Sequence, residues 1–302
     1  MNRELTNNFA LLKETWTLWV KQLNWLISSA GILAIQFIGQ MFIGVIYLVL
    51  LFPSMMFMDD PSSMGPVFGG FIIGFIVVYI ILIIYGVYTT LGYTYLSLDM
   101  VKSGKAHIEN VFKGYKWLGR GLLAMLLFVL LVFAVSIPSL GILIGVGVFI
   151  DSTVFVVIGV LLFYLLLILV FLPFAQVYNV MVDQGKKTID SFKESVRLMK
   201  GAKLKYLGFI LIIMLITLIP TLLMTVPIIF MVLGEAIIAA AGSLIIIAGA
   251  SMLLMPLLYS FSMTASAKFY YDLLDDDEPS LDDTLAIEEN NSYLIEQQET
   301  EE

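Results

Sequence analysis

The chain has 302 residues, 60% of them apolar and only 13% charged, with a mean hydropathy of +0.97. Soluble domains carry about a quarter charged residues, so this composition excludes a protein wetted on all sides. The absence of cysteine excludes disulfides, thiol chemistry and Cys-ligated metals, and the net charge of −8 conceals a sharp segregation of sign.

Residues 1–23 read as an amphipathic cytoplasmic segment, with Leu5, Phe9, Leu12, Trp16 and Trp19 at helical spacing beside Arg3, Lys13 and Lys21. Glu4, Glu14 and the length of the apolar run that follows argue against a cleavable signal peptide, so a retained first span is expected. The stretch 24–98 divides at a polar turn with Pro53, Asp59, Asp60 and Pro66. Each half is long enough to cross a hydrocarbon core about 30 Å thick. Gln36 and Gln40, at i and i+4, share a face of the first half.

Residues 99–120 form a connecting segment with Lys102, Lys105, Lys113, Lys116 and Arg120. Gly104 stands where a helix must end and reverse, a position that favours left-handed backbone. Ile108, Val111, Tyr115 and Leu118 follow at helical spacing, with Lys113, Lys116 and Arg120 on another stripe. An amphipathic helix at the membrane surface is expected there. The stretch 121–182 supplies two more crossings, dividing near Asp151, with Gln176 and Asn179 near the inner end of the second. Pro138 and three nearby glycines leave residues 139–150 open between part of a span and a re-entrant piece.

The next segment, 183–205, repeats the earlier one. Met100-Val101-Lys102-Ser103-Gly104-Lys105 matches Met181-Val182-Asp183-Gln184-Gly185-Lys186 at an offset of 81. Ile189, Phe192, Val196 and Met199 again form a stripe, with Lys193, Arg197 and Lys200 opposite. Residues 206–267 give the last pair of crossings, dividing near Glu235. Residues 272–302 hold thirteen Asp and Glu and no Lys or Arg, and are expected to be a disordered cytoplasmic tail.

All 16 Lys and Arg thus fall in four segments, the last being Lys268 alone. Lys and Arg near span ends resist translocation, which assigns these segments to the cytoplasm and requires an even number of crossings between them. The expected fold is an all-α polytopic membrane protein. Its membrane domain, 24–271, holds six spans in three hairpins (24–98, 121–182 and 206–267), with amphipathic cytoplasmic loops 99–120 and 183–205 and both termini cytoplasmic.

No chemistry accompanies this architecture. His107 is the lone histidine, no phosphate loop occurs, and no charged residue lies deep in a span, so neither an enzyme nor a cofactor or metal site is expected. Lys113, Lys116, Arg120, Lys193, Arg197 and Lys200 are candidate contacts for anionic lipid headgroups, or else solvated residues that merely set topology. Gln36, Gln40, Gln176 and Asn179 are candidate intramembrane polar contacts, to a substrate or between helices. The acidic tail is a partner-binding segment or a solubilising one, and no nucleic-acid partner is expected.

The run Pro173-Phe174-Ala175, Met181-Val182-Asp183-Gln184-Gly185-Lys186, Ser191-Phe192-Lys193-Glu194-Ser195-Val196-Arg197 and Gly201 closes in Phe269-Tyr270-Tyr271-Asp272-Leu273. Over residues 91–273 this pattern resembles the YciC-like bacterial membrane proteins. It is similar also to the membrane domain fused to some glycerophosphodiester phosphodiesterases, whose catalytic domain has no counterpart here. The resemblance implies a six-span bacterial plasma-membrane protein. The expected role is non-enzymatic, organising lipids or partner proteins in envelope homeostasis, with a transporter or permease component for a small or amphiphilic substrate as the alternative.

Overall fold

The structure is a computed structural model and describes residues 7–56, 64–149, 153–233 and 237–275. The expected turns at Asp59-Asp60, Asp151 and Glu235 lie outside the described residues, as does all but the start of the acidic tail. Among the described residues the chain is helical and holds no strand. In chain order the helices are α1 (Asn8–Val20), α2 (Asn24–Met56), α3 (Met64–Ser103), α4 (Leu118–Phe149), α5 (Thr153–Phe171), α6 (Val177–Asp183), α7 (Thr188–Leu198), α8 (Lys203–Leu233) and α9 (Ile237–Asp275). Helix is the form that lets an apolar run satisfy every backbone group within itself.

Among the described residues three stretches are long and apolar enough to cross a membrane: Gly74–Ser103, Ile108–Gly141 and Thr153–Asp183. Two bent pairs raise the number to five if each is one span. These are α1 with α2, bent by 79°, and α7 with α8, bent by 96°. The six expected crossings are thus not reached within the described residues, because the side chains of 219–253 lie outside them. Residues 139–149 continue α4 without a break and Pro138 sits inside it, so no re-entrant piece interrupts that helix.

The bends have a local cause. Leu23 (φ 61°) lies at the first and Gly201 (φ 90°) at the second, and one left-handed residue turns the chain out of the helical path. Gly104 (φ 75°) and Gly185 (φ 63°) are left-handed too, as expected at the two repeated reversals.

Residues 108–117 depart from expectation. They form a 3-10 helix that runs on into α4 without a sharp bend, rather than an α-helix lying across it. The segment packs backbone to backbone on α3. A Cβ on Gly114 would collide with the Tyr88 carbonyl, and one on Gly92 with the Val111 carbonyl. In the other copy, at the same offset of 81, Pro173 and Ser195 replace Gly92 and Gly114. There the fully buried Ser195 hydroxyl donates to the Pro173 carbonyl (2.9 Å) and accepts from the Gln176 N–H (3.1 Å). Pro173 interrupts the helix into a short 3-10 turn between α5 and α6, and Ser195 supplies polar partners at that break.

The core lies where the ends of α3, α6 and α9 meet. Met100 and Met181, the residues that open the two repeated loops, are both fully buried, as are Leu91, Phe269 and Tyr270. Phe128 of α4 adds an aromatic joint, with the rings of Phe171, Phe174, Tyr178 and Phe192 around it at 5.0 to 6.5 Å.

Candidate functional site

Polar contacts gather all four basic segments at one end of the bundle. Asn24 opens α2 almost fully buried, and its side chain is used on both sides. Its amide donates to the carbonyls of Leu18 (2.9 Å) and Gly104 (3.0 Å), and its own oxygen accepts from the Ala106 N–H (2.8 Å). Lys268 of α9 pairs with Glu14 of α1 at 3.1 Å, and Lys205 of α8 with Asp272 of α9 at 3.2 Å. Arg120 at the start of α4 donates through Nη1 to the Gly185 carbonyl (2.7 Å), and Thr188 donates back to the Arg120 carbonyl (3.0 Å).

Asp183 is the densest of these junctions. Its carboxylate pairs with Lys102 at 2.6 Å and accepts from the hydroxyls of Tyr270 and Tyr271 at 3.0 Å each. Gln184 donates to the Tyr270 oxygen at 2.9 Å. Burial, and then the neighbouring carboxylate, push both phenols well above their ordinary value, so both stay protonated donors at neutral pH.

The outer faces of the short helices carry a repeated pattern. Phe9, Lys13, Trp16 and Val20 are exposed along α1, and Ile189, Lys193 and Val196 on α7, with Lys200 just past its end, are exposed at the same spacing. The 3-10 segment shows the apolar part of it, with Ile108, Phe112 and Tyr115 exposed. Just before the third position stand Thr15, Gly114 and Ser195, all buried. This shared register adds α1 to the repeat. The expected apolar stripes do not lie in one environment: Val111 and Met199 are fully buried, whereas Ile108, Tyr115, Ile189 and Val196 are exposed. Each segment buries one small residue at this position beside larger ones (Leu11, Leu12 and Trp19 on α1, Val111 on the 3-10 segment, Leu198 on α7), and its remaining apolar side chains face outward beside lysines, as at a membrane surface.

The candidate cations are not brought to a single point. Lys113 donates to Asn110 (2.5 Å) and lies 5.7 Å from the centre of the Tyr95 ring, with Lys116 at 6.0 Å from the same ring. Arg197 forms a two-pronged bond to Glu194 (2.6 and 3.1 Å), which Lys186 also approaches at 3.2 Å. The Arg197 bond, with help from Lys186, holds the Glu194 carboxyl below its usual value. Lys193 and Lys200 remain on the exposed stripe.

The polar candidates divide as well. Gln176, just before α6, and Asn179, in its first turn, come together beside the break after α5, both buried, with the Asn179 amide donating to the Gln176 oxygen (2.5 Å). The Gln176 Nε2 has no partner among the described residues. Gln36 and Gln40 are exposed on α2 instead, with no hydrogen bond to another helix among the described residues. Sequence reasoning missed Asn24 and the Asp183 junction. Both are joined to residues 80 or more positions away, and only the alignment of Lys102 with Asp183 hinted at either. Among the described residues no group of His, Asp and Glu could hold a metal ion.

An all-helical body, several helices apolar enough for a membrane and a polar seam at one end define the class as a membrane-embedded helical protein. Residues 99–273, more than half of the chain, match the model of the family described as a domain of unknown function, DUF7847, and the chain belongs to that family. No match was found among curated proteins or among solved structures.

Proposed function

We propose that this protein is a non-enzymatic, multi-pass plasma-membrane protein that organises anionic lipids, or proteins held by them, at the inner leaflet. The observation that carries the reading is the mixed stripe of α1 and α7, where exposed Phe9, Trp16, Ile189 and Val196 alternate with Lys13, Lys193 and Lys200. Apolar side chains that enter the headgroup layer beside cations suit an anionic surface. Among the described residues six long helices, each pair of which leaves from and returns to the basic end, support six spans in three hairpins with cytoplasmic termini. The acidic tail offers a site for a protein partner.

Mass spectrometry of lipids retained by the purified protein tests this. Enrichment of anionic over zwitterionic phospholipid is expected, falling in a variant with Lys13, Lys193 and Lys200 all changed to Gln. Each lysine is worth about 1 kcal/mol, or about fivefold, near an anionic surface. Retention of lipids in the proportions of the host membrane would sink the reading.

The break between α5 and α6 favours a second reading, as a transport component, because discontinuous spans with buried polar groups can line a substrate path. Cysteine placed at Gln176 would then react with a water-soluble thiol reagent from one side of the membrane, and an inert cysteine would count against it.

A further inference from the structure

A cleft of about 490 Å³ opens between the first turn of α4 and the start of α7. Gly119, Arg120 and Leu123 line one side, and Lys187, Ile189 and Asp190 the other. Its size falls in the range of about 300–1,000 Å³ usual for small-molecule sites. Gly119 borders open space, since a Cβ built there meets nothing within 4 Å, so a large side chain at this position has room to enter the cleft. Arg120 spends Nη1 on the carbonyls of Gly185 and Lys186, leaving Nε and Nη2 without a protein partner among the described residues. Lys187 is exposed beside it, so Arg120, Lys187 and Asp190 leave the cleft with a net positive charge.

The cleft also stands at the head of an apolar track. Leu123, Leu126, Leu130, Phe133 and Ile137 are all exposed on one face of α4 at spacings of three and four. The track is about 21 Å long at 1.5 Å per residue. That exceeds one leaflet of hydrocarbon, about 15 Å. A cationic cleft at the polar end of such a track matches an amphiphile with a phosphate head. We propose that this cleft binds the headgroup of one anionic phospholipid, its phosphate on Arg120 and Lys187 and its acyl chain along α4. Asp190 is an acceptor in the same cleft and suits a headgroup that carries hydroxyls, such as glycerol. The proposal rests on the lipid reading above and narrows it to one site.

Native mass spectrometry of the full chain, released from nanodiscs of zwitterionic phospholipid doped with phosphatidylglycerol, tests it. The wild type should retain one phosphatidylglycerol through activation that strips other lipids. Gly119→Phe fills the cleft while keeping both cations and should abolish that retention, with Gly119→Leu as a smaller filler should the first variant fold poorly. Arg120→Gln with Lys187→Gln should weaken retention about thirtyfold. Lys105→Gln, on an exposed residue outside the cleft, should leave it unchanged. If the wild type retains phosphatidylglycerol and both Gly119 variants retain it equally, the cleft assignment is overturned while the wider lipid reading stands. If the wild type shows no preference for the anionic lipid, both fall. Soluble glycerol phosphate and inorganic phosphate are the remaining probes: no displacement of the lipid supports a site for an amphiphile, and displacement at matched concentration overturns it in favour of a soluble anion.

Discussion

Lys102 and Asp183 hold the same position in two copies of a repeated loop, and they pair with each other at 2.6 Å. A duplicated segment would ordinarily place like residues at both sites and make them repel. Opposite charges instead turn the repeat into a fastener between its own halves. The carboxylate side is mostly buried and the lysine mostly exposed, with side-chain exposures of 10% and 58%. The two partners therefore contribute unequally.

Removing Asp183 strips the acceptor from the phenols of buried Tyr270 and half-buried Tyr271 as well as the ion pair. Asp183→Leu is expected to cost about 2–3 kcal/mol, as buried donors left unmade do. Lys102→Met should cost about 1 kcal/mol or less, as pairs with an exposed partner do. Thermal unfolding in a mild detergent checks the order: wild type, then Lys102→Met, then Asp183→Leu.

Gly114 and Ser195 solve one packing problem in two ways, and exchanging the solutions should be unequal. Gly114→Ser drives a side chain into the Tyr88 carbonyl and is expected to cost about 3 kcal/mol, at the upper end of overpacking. Ser195→Gly loses a buried hydroxyl bridge at about 1–2 kcal/mol. Denaturation midpoints of the two variants decide it, and equal losses would contradict the close approach described for α3.

The joint residues predict opposite signs. Gly201→Ala puts a Cβ at φ 90° and should destabilise by about 1 kcal/mol or more. Leu23→Gly removes a Cβ from a left-handed position and should be neutral to stabilising. Hydrogen exchange of α1 and α7 reports each joint separately.

Glu194 gives a pH dependence. Its carboxyl is lowered from 4.5 by Arg197 first and by Lys186 as well, so its contribution to holding α7 is complete above 4.5. That contribution is lost as pH falls through the lowered value. The stability advantage of wild type over Glu194→Gln should be constant around neutral pH and vanish in acid, as read from unfolding midpoints across pH.

Helix, membrane class and the grouping of basic segments were legible because each is a property of residue type along the chain. The glycine reversals at Gly104 and Gly185 were legible for the same reason, since one residue type alone suits that backbone. Facing was not. Gln36 and Gln40 share a face by spacing, yet spacing cannot say whether that face looks inward, and it looks out. The 3-10 path of residues 108–117 was hidden because gaps of three and four fit either helix, and the contact of Gly114 with Gly92 that accompanies the segment joins residues on different elements. Thr15, Gly114 and Ser195 escaped notice because equivalence of place was masked by difference of chemistry.

The Asp183 junction also sets an order of events during synthesis. Lys102 emerges before Asp183, whereas Tyr270 and Tyr271 emerge 87 and 88 residues after it. The carboxylate is first held on one side only, and the phenols close over it when α9 arrives. A chain halted before Phe269 leaves that charge half-covered at the seam. Completion of the last helix is thus registered at a group made long before it.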